Sequence, residues 1–220
     1  MASLTPGSGS WLQALPSNNL GLRLGNNELR IAVGLRIGVP LVRPHQCVCG
    51  EEVESNGHHG LACRRSSGRH RRHALANDVL VRAVTVAAME RDRMTPWTGG
   101  RYLVWDFTCP DTLAPSHLRQ SSLQAGSAAT NAEALKLAKY SELASSDDYI
   151  FIPVAIETLG VWDASGLALC DEIGRRAAHL SGDPRASSFL KQRLGLDVQR
   201  GNAASVAGTH PQGDISLGLP

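Results

Sequence analysis

Between His45 and His73 the chain concentrates three of its five cysteines and five of its eight histidines. Thiolates and imidazoles are the ligands zinc prefers, four at a time and usually as two close pairs joined by a loop. Cys47 and Cys49 make one such pair and His59 and Cys63 the other, with Gly50 able to turn the chain sharply over a metal. His58 is an alternative to His59, and His45 is an outlying one. The C-x-C spacer is tighter than usual, and the competing reading is three ordinary reduced thiols beside solvated histidines. The loop has little apolar content to fold it, which favours a structural Zn²⁺.

Directly after these residues, Arg64, Arg65, Arg69, His70, Arg71, Arg72 and His73 form a run without a single acid. On a chain of net charge +2 this is a local positive patch, the electrostatic signature of a phosphate-bearing partner. A solvated linker is the plainer reading.

A second constellation lies downstream. Asp106 is a carboxylate within the otherwise apolar run 101–108, where a charge is costly unless paired, hydrogen-bonded or metal-bound. Asp92 falls in the turn region just before it. Two acids meeting over a sheet edge, with a lysine from a neighbouring helix, are the apparatus of Mg²⁺-dependent phosphodiester hydrolysis. Lys136 and Tyr140, four residues apart, share one helical face. The bland alternative gives Asp106 a backbone or arginine partner at a strand end.

The elements that must position these groups are legible as patterns. Residues 1–10 are rich in Gly, Ser, Thr and Pro and are expected to be a disordered lead. A helix over 26–37, ended by Gly38, puts Leu29, Ala32, Val33 and Ile37 on one face, although the same stretch also alternates like a strand. Helical spacing of Leu75, Val79, Ala83, Val86 and Met89 predicts an amphipathic helix over 74–89. Alternation over 101–108 predicts a strand with Tyr102, Val104, Asp106 and Thr108 on one face and Leu103, Trp105 and Phe107 on the other. A helix over about 128–144 follows, its pattern made by Ala132, Leu135, Ala138, Lys139 and Leu143. Then come a buried strand over 149–157 and helices over about 164–181 and 184–199, with a tail expected to fray from Gly201. The order is α/β or α+β: one small mixed sheet flanked by helices, with no internal repeat.

Composition is that of a globular protein, 42% hydrophobic. An odd number of cysteines, three at metal-type spacing, argues for a reducing compartment. No apolar run approaches the roughly 18 residues of a membrane span, and the N-terminus lacks the basic-then-apolar order of a signal peptide. The expectation is a soluble intracellular protein, nuclear or cytoplasmic, without a membrane partner.

Taken together, the run C-x-C-G…H-H-x-L-x-C (47–63), G-R-H-x-R-H-x-x-x-N (68–77), W-D-x-T (105–108) and K-x-x-K-Y (136–140) closely resembles a known region. It is the zinc knuckle plus restriction-endonuclease-like domain that follows reverse transcriptase in animal non-LTR retrotransposons, and the likeness spans 11 to about 209. The resemblance implies a PD-(D/E)xK-type fold over 78–200, a helical linker region over 11–42, the knuckle and basic segment over 43–77, and a flexible tail over 201–220. It implies that Cys47, Cys49, His59 and Cys63 ligate zinc and that Asp106 is a catalytic Mg²⁺ or Mn²⁺ ligand, with Asp92 as the first acid. Lys136 and Lys139 are the candidates for a catalytic lysine moved to the helix, with Tyr140 beside it. The block from Arg69 to Asn77 is implied to lie against DNA or RNA, and a reverse transcriptase encoded by the parent element is the implied protein partner.

The chain also departs from the family. It reads Arg91-Asp92-Arg93 where the family carries Arg-Pro-Asp-Gly, and Asp106-Phe-Thr108 where many such enzymes place a lysine. Pro110-Asp111 has no E-x-K behind it and reads as a decoy, and Glu157 reads as a capped strand end rather than a ligand. The rival functional readings are an inactive zinc-dependent nucleic-acid-binding module and a degenerate element remnant.

Overall fold

The computed structural model describes residues 5, 7–66, 68–88 and 97–210. After a 3-10 turn at Ser10–Gln13, helix α1 (Asn26–Ile37) is capped by Glu28, whose carboxylate accepts from Gly25 N at 2.8 Å, and it ends at Gly38 with φ +72°. The helical reading of this stretch therefore prevails over the alternating one. Its buried face, however, is Ile31, Ala32, Gly34 and Leu35, while Leu29, Val33 and Ile37 stay exposed.

A miniature hairpin, β1 (His45–Gln46) against β2 (Glu52–Val53), and the single turn α2 (His59–Ala62) carry the Cys/His segment. Helix α3 (Gly68–Ala87) begins well before the expected residue 74 and takes the basic run into its first turns. Its inward stripe is Arg72, Ala76, Val79, Leu80 and Ala87, with Ala83 and Val84 partly covered. Val86, expected inside, is half exposed; Met89 lies outside the described residues.

Strand β3 (Tyr102–Thr108) leads through α4 (Pro115–Leu123), α5 (Ser127–Lys139) and the turn α6 (Ser141–Ala144) into β4 (Tyr149–Ala155). The two strands pair in parallel, Tyr102 opposite Tyr149 and Asp106 opposite Pro153. Such a pair needs a helical crossover, which these helices supply. The described chain is thus α/β, small two-stranded sheets of both senses flanked by helices. On α5 the buried positions are Ala128 and Ala129, whereas Leu135, expected within the apolar pattern, is largely exposed.

Helices α7 (Ala164–Ser181) and α8 (Ala186–Ala207) complete the fold. Phe107, Val154 and Ile156 pack with Leu80, Leu169, Ile173, Leu190 and Leu194 into one core, against which Leu103 and Trp105 also lie, as their alternation predicts. A second core joins Ile31, Leu35, Leu41, Val53 and Leu61 to Ala203 and Val206, and a third holds Trp11, Leu22, Ala32 and Leu196. Helix α8 runs through all three. It does not fray at Gly201: Gly201, Asn202, Ala203, Ser205 and Val206 are buried and helical. Nor is the lead wholly loose, since Ser8 is buried and its backbone oxygen accepts from Arg36.

Candidate metal centre and the Asp106–Lys136 site

The β1–β2 turn brings Cys47 and Cys49 together. Gly50, at φ +95°, donates its N–H to Cys47 O at 2.8 Å, a conformation a side chain would strain. Single-turn α2 then presents His59, and Cys63 follows at its end. The four ligand atoms of Cys47, Cys49, His59 and Cys63 all lie within 4.8 Å of one another. Cys47 Sγ and Cys63 Sγ stand 3.8 Å apart, and Cys49 Sγ is 3.3 Å from His59 Nε2. Two sulfurs bound tetrahedrally to one zinc at about 2.3 Å would be separated by about 3.8 Å. The Cys₃His donor set therefore fits a metal ion such as zinc.

Neither alternative histidine takes part. His45 bonds Arg43 O and Thr209 Oγ1 through its two ring nitrogens, and His58, held below the ordinary imidazole range by burial, faces Asp111 instead. Burial pushes the Cys47 thiol up to about 11, while the backbone N–H of Glu51 draws Cys49 down. Cys49 therefore gives up its proton more readily than Cys47, and a cation bound to both would draw both into the thiolate state.

The basic run divides on folding. Arg64, Arg65, Arg69, His70, Arg71 and His73 are exposed, and the ion pairs among the described residues engage none of them. Arg65 donates to Val48 O at 3.1 Å, fixing the segment onto the metal loop. Arg72 turns inward, 2% exposed, and donates to Asn202 Oδ1, Ser205 Oγ and Leu61 O. It is removed from the set of surface contacts because its guanidinium links α2, α3 and α8. Asn77 is half-buried: its amide nitrogen lies 3.0 Å from His73 Nδ1, and its oxygen accepts from Trp105 Nε1 at 3.1 Å. His73 in turn meets Phe107 edge-on, centroids 6.1 Å apart. The end of the basic block is thereby joined to the strand that carries Asp106.

On the opposite face of β3, Lys136 Nζ lies 2.6 Å from Asp106 Oδ2, the two side chains 24% and 19% exposed. Lys139 is fully exposed, 4.7 Å over the Tyr140 ring; its hydrogen bond to the Tyr140 phenol holds the ammonium above its usual range. Asp92, the expected first acid, lies outside the described residues. Among the described residues the Cys/His quartet alone gathers three or more metal-binding side chains.

Glu157 is wholly buried, as a capped strand end. Its Oε1 accepts from Ala128 N and Ala129 N at 3.0 and 3.1 Å, and its Oε2 from Thr112 Oγ1 at 3.0 Å. A carboxylate at that helix N-terminus answers the orphan N–H groups and the dipole, and so fixes the helix bearing Lys136. Asp111 is buried beside it, its carboxyl raised by burial and bonded by Thr158 Oγ1. Two features went unread in the sequence: Glu157 as the anchor of α5, and the pairing of Tyr102 with Tyr149. The second could have been found from a tyrosine opening each of the two strands.

Compared with known proteins, the chain matches no family model, no curated protein and no solved structure. No helix among the described residues is long and apolar enough to cross a membrane.

Proposed function

We propose that this chain is a zinc-knuckle, restriction-endonuclease-like domain of retrotransposon origin that nicks DNA in a divalent-metal-dependent reaction. The observation that carries the reading is the Asp106–Lys136 pair: a strand carboxylate and a helix ammonium at 2.6 Å, part-exposed, across a parallel βαβ crossover. A Mg²⁺ or Mn²⁺ ion held by Asp106, with Asp92 as the first acid of the pair, would supply Lewis-acid chemistry at the scissile phosphate. The chain's own contribution is electrostatic. Lys136 places positive charge where the phosphate gains negative charge, and Lys139 lies nearby to hold the substrate backbone. Glu157 keeps the helix of both lysines in place.

The quartet Cys47, Cys49, His59 and Cys63 would hold Zn²⁺ as a structural ion, since all four positions are filled by protein. The exposed arginines 64, 65, 69 and 71 would engage phosphates of the same DNA. A reverse transcriptase of the parent element is the partner the resemblance adds.

A second reading is a zinc-stapled nucleic-acid-binding module without cleavage. It is favoured by the single described carboxylate at the Asp106 site, already paired with Lys136. Nicking of a labelled duplex with Mg²⁺ or Mn²⁺, comparing wild type with Asp106→Ala at matched zinc content, separates the two. Nicking by wild type that disappears in the variant is the expected result. Salt-sensitive binding by both proteins, with nicking by neither, would leave the binding module.

A further inference from the structure

The outer face of the β3–β4 pair carries more than the proposed catalytic groups. All three tyrosines of the chain gather there, with two of its three lysines. Tyr102 and Tyr149 face each other across the strands, centroids 6.3 Å apart and tilted by 45°, and each is 40% exposed. Next along the face, Phe151 meets the Tyr140 ring at 5.1 Å, and beyond it stands Asp106 with Lys136. The hydrophobic core lies on the other side of the strands, built on Leu103, Trp105 and Phe107. Tyr102 and Tyr149 therefore stay open to solvent at one end of this face, while Tyr140 and Phe151 are partly covered, in a protein that is only 5% aromatic.

Exposed aromatic rings beside cationic side chains form the recognition chemistry of unpaired nucleic acid: bases stack on the rings and phosphates follow the positive charge. A fully paired duplex keeps its base faces stacked on one another and cannot use such a surface. We propose that Tyr102 and Tyr149 are a stacking platform for unpaired bases of the DNA engaged at Asp106, so that the substrate of this site is opened rather than fully paired DNA. The proposal rests on the nuclease-like reading of Asp106 for its placement, not for the stacking itself. Asp106 lies four residue steps along the strand from Tyr102, about 13 Å. At about 3.4 Å per stacked nucleotide, the platform lies about four nucleotides from the phosphate at Asp106.

A cross-strand aromatic pair can also serve the sheet alone, so the test must read base contact apart from folding. The zinc-loaded full chain is titrated, without divalent ions that permit cleavage, against three fluorescent probes. They are a single strand of mixed sequence, the same strand in a duplex, and the same strand made abasic over its central positions. Wild type is expected to prefer the intact single strand. Tyr102→Leu and Tyr149→Leu are expected to weaken it about 5- to 150-fold per base lost from the platform, leaving duplex binding within two-fold. Tyr149→Phe, which keeps the ring, should bind as wild type does. Equal affinity for abasic and intact strands overturns the proposal, and this arm needs no variant to fold. Leucine variants of unchanged thermal midpoint that bind the single strand normally overturn it too. Tyrosine-dependent binding by a chain that never nicks DNA would sustain the platform while removing the nuclease. Nicking with no preference for unpaired DNA would do the reverse.

Discussion

Arg72 donates to Asn202 Oδ1 and to Ser205 Oγ, both at 3.0 Å, and its aliphatic stem rests on Gly201, where an added Cβ would come within 1.9 Å of Arg72 Cγ. One guanidinium thus holds the metal loop, through Leu61 O at 2.9 Å, to the end of α8. Its partners are all neutral acceptors that would be left buried and unpaired without it. Arg72→Ala is expected to cost about 3 kcal/mol. Lysine, a point charge with no planar fork, should recover little of that. Urea midpoints of the zinc-loaded proteins check this; a loss under about 1 kcal/mol would mean that the network is dispensable.

Gly68 marks the close approach of α3 to α8. A Cβ there would stand 2.3 Å from Ser205 N and 2.5 Å from Ser205 Cα, backbone atoms that cannot swing aside. Gly60 makes a similar contact, 2.8 Å from Ser205 O. Gly68→Ala therefore has to push the helices apart, at about 1–3 kcal/mol, despite alanine's better helix propensity. Stabilisation by this substitution, read as a higher thermal midpoint, would show that the two helices are not in such contact.

These two contacts also explain what could and could not be read along the chain. The metal quartet was legible because its chemistry is local, two short-range pairs within one loop. Asp106 stood out as a charge in an apolar alternation, and Lys136 lay in the helical pattern that follows it, although α4, which intervenes, was not foreseen. Arg72, by contrast, looks like its neighbours Arg71 and Arg69; burial separates it from them only once α8 is in place. Helix α8 itself hid its last turns because it is buried on nearly every side, so no amphipathic stripe announced that Gly201, Asn202 and Ala203 continue it. Small residues there read as a loose tail, whereas their smallness serves close packing.

Metal binding by the quartet should depend on pH in a definite direction. The Cys47 thiol, pushed up to about 11, is protonated at neutral pH without metal and must lose that proton to coordinate. Affinity for zinc should therefore rise with pH, about ten-fold per unit from this thiol alone. Competition with a chromophoric chelator at pH 6, 7 and 8 measures the slope. Chelation should also loosen the second core, which contains Cys47 and Cys63, seen as faster amide exchange in α2 and the last turns of α8. A pH-independent affinity would exclude the thiolates as ligands.

The Asp106–Lys136 pair is part-exposed, so its coupling should fall between surface and buried cases. A double-mutant cycle with Asp106→Asn and Lys136→Met is expected to give about 1–2 kcal/mol. Lys139→Met, at an exposed position, should leave stability unchanged while reducing any nicking. A coupling energy near zero would mean that the 2.6 Å contact does not persist in solution.

The division of the basic run yields the last expectation. Each phosphate contact releases counterions, so the logarithm of DNA affinity should fall linearly with the logarithm of salt, and losing one contact should flatten the slope by about one. Arg69→Ala and Arg71→Ala, both exposed, should each do this without changing the unfolding midpoint. Arg72→Ala should instead lower the midpoint, its guanidinium being committed to Asn202, Ser205 and Leu61. The same arginine run would then act in two ways, outward for phosphate and inward for assembly. A salt titration in which the three variants share one slope and one midpoint would refute that division.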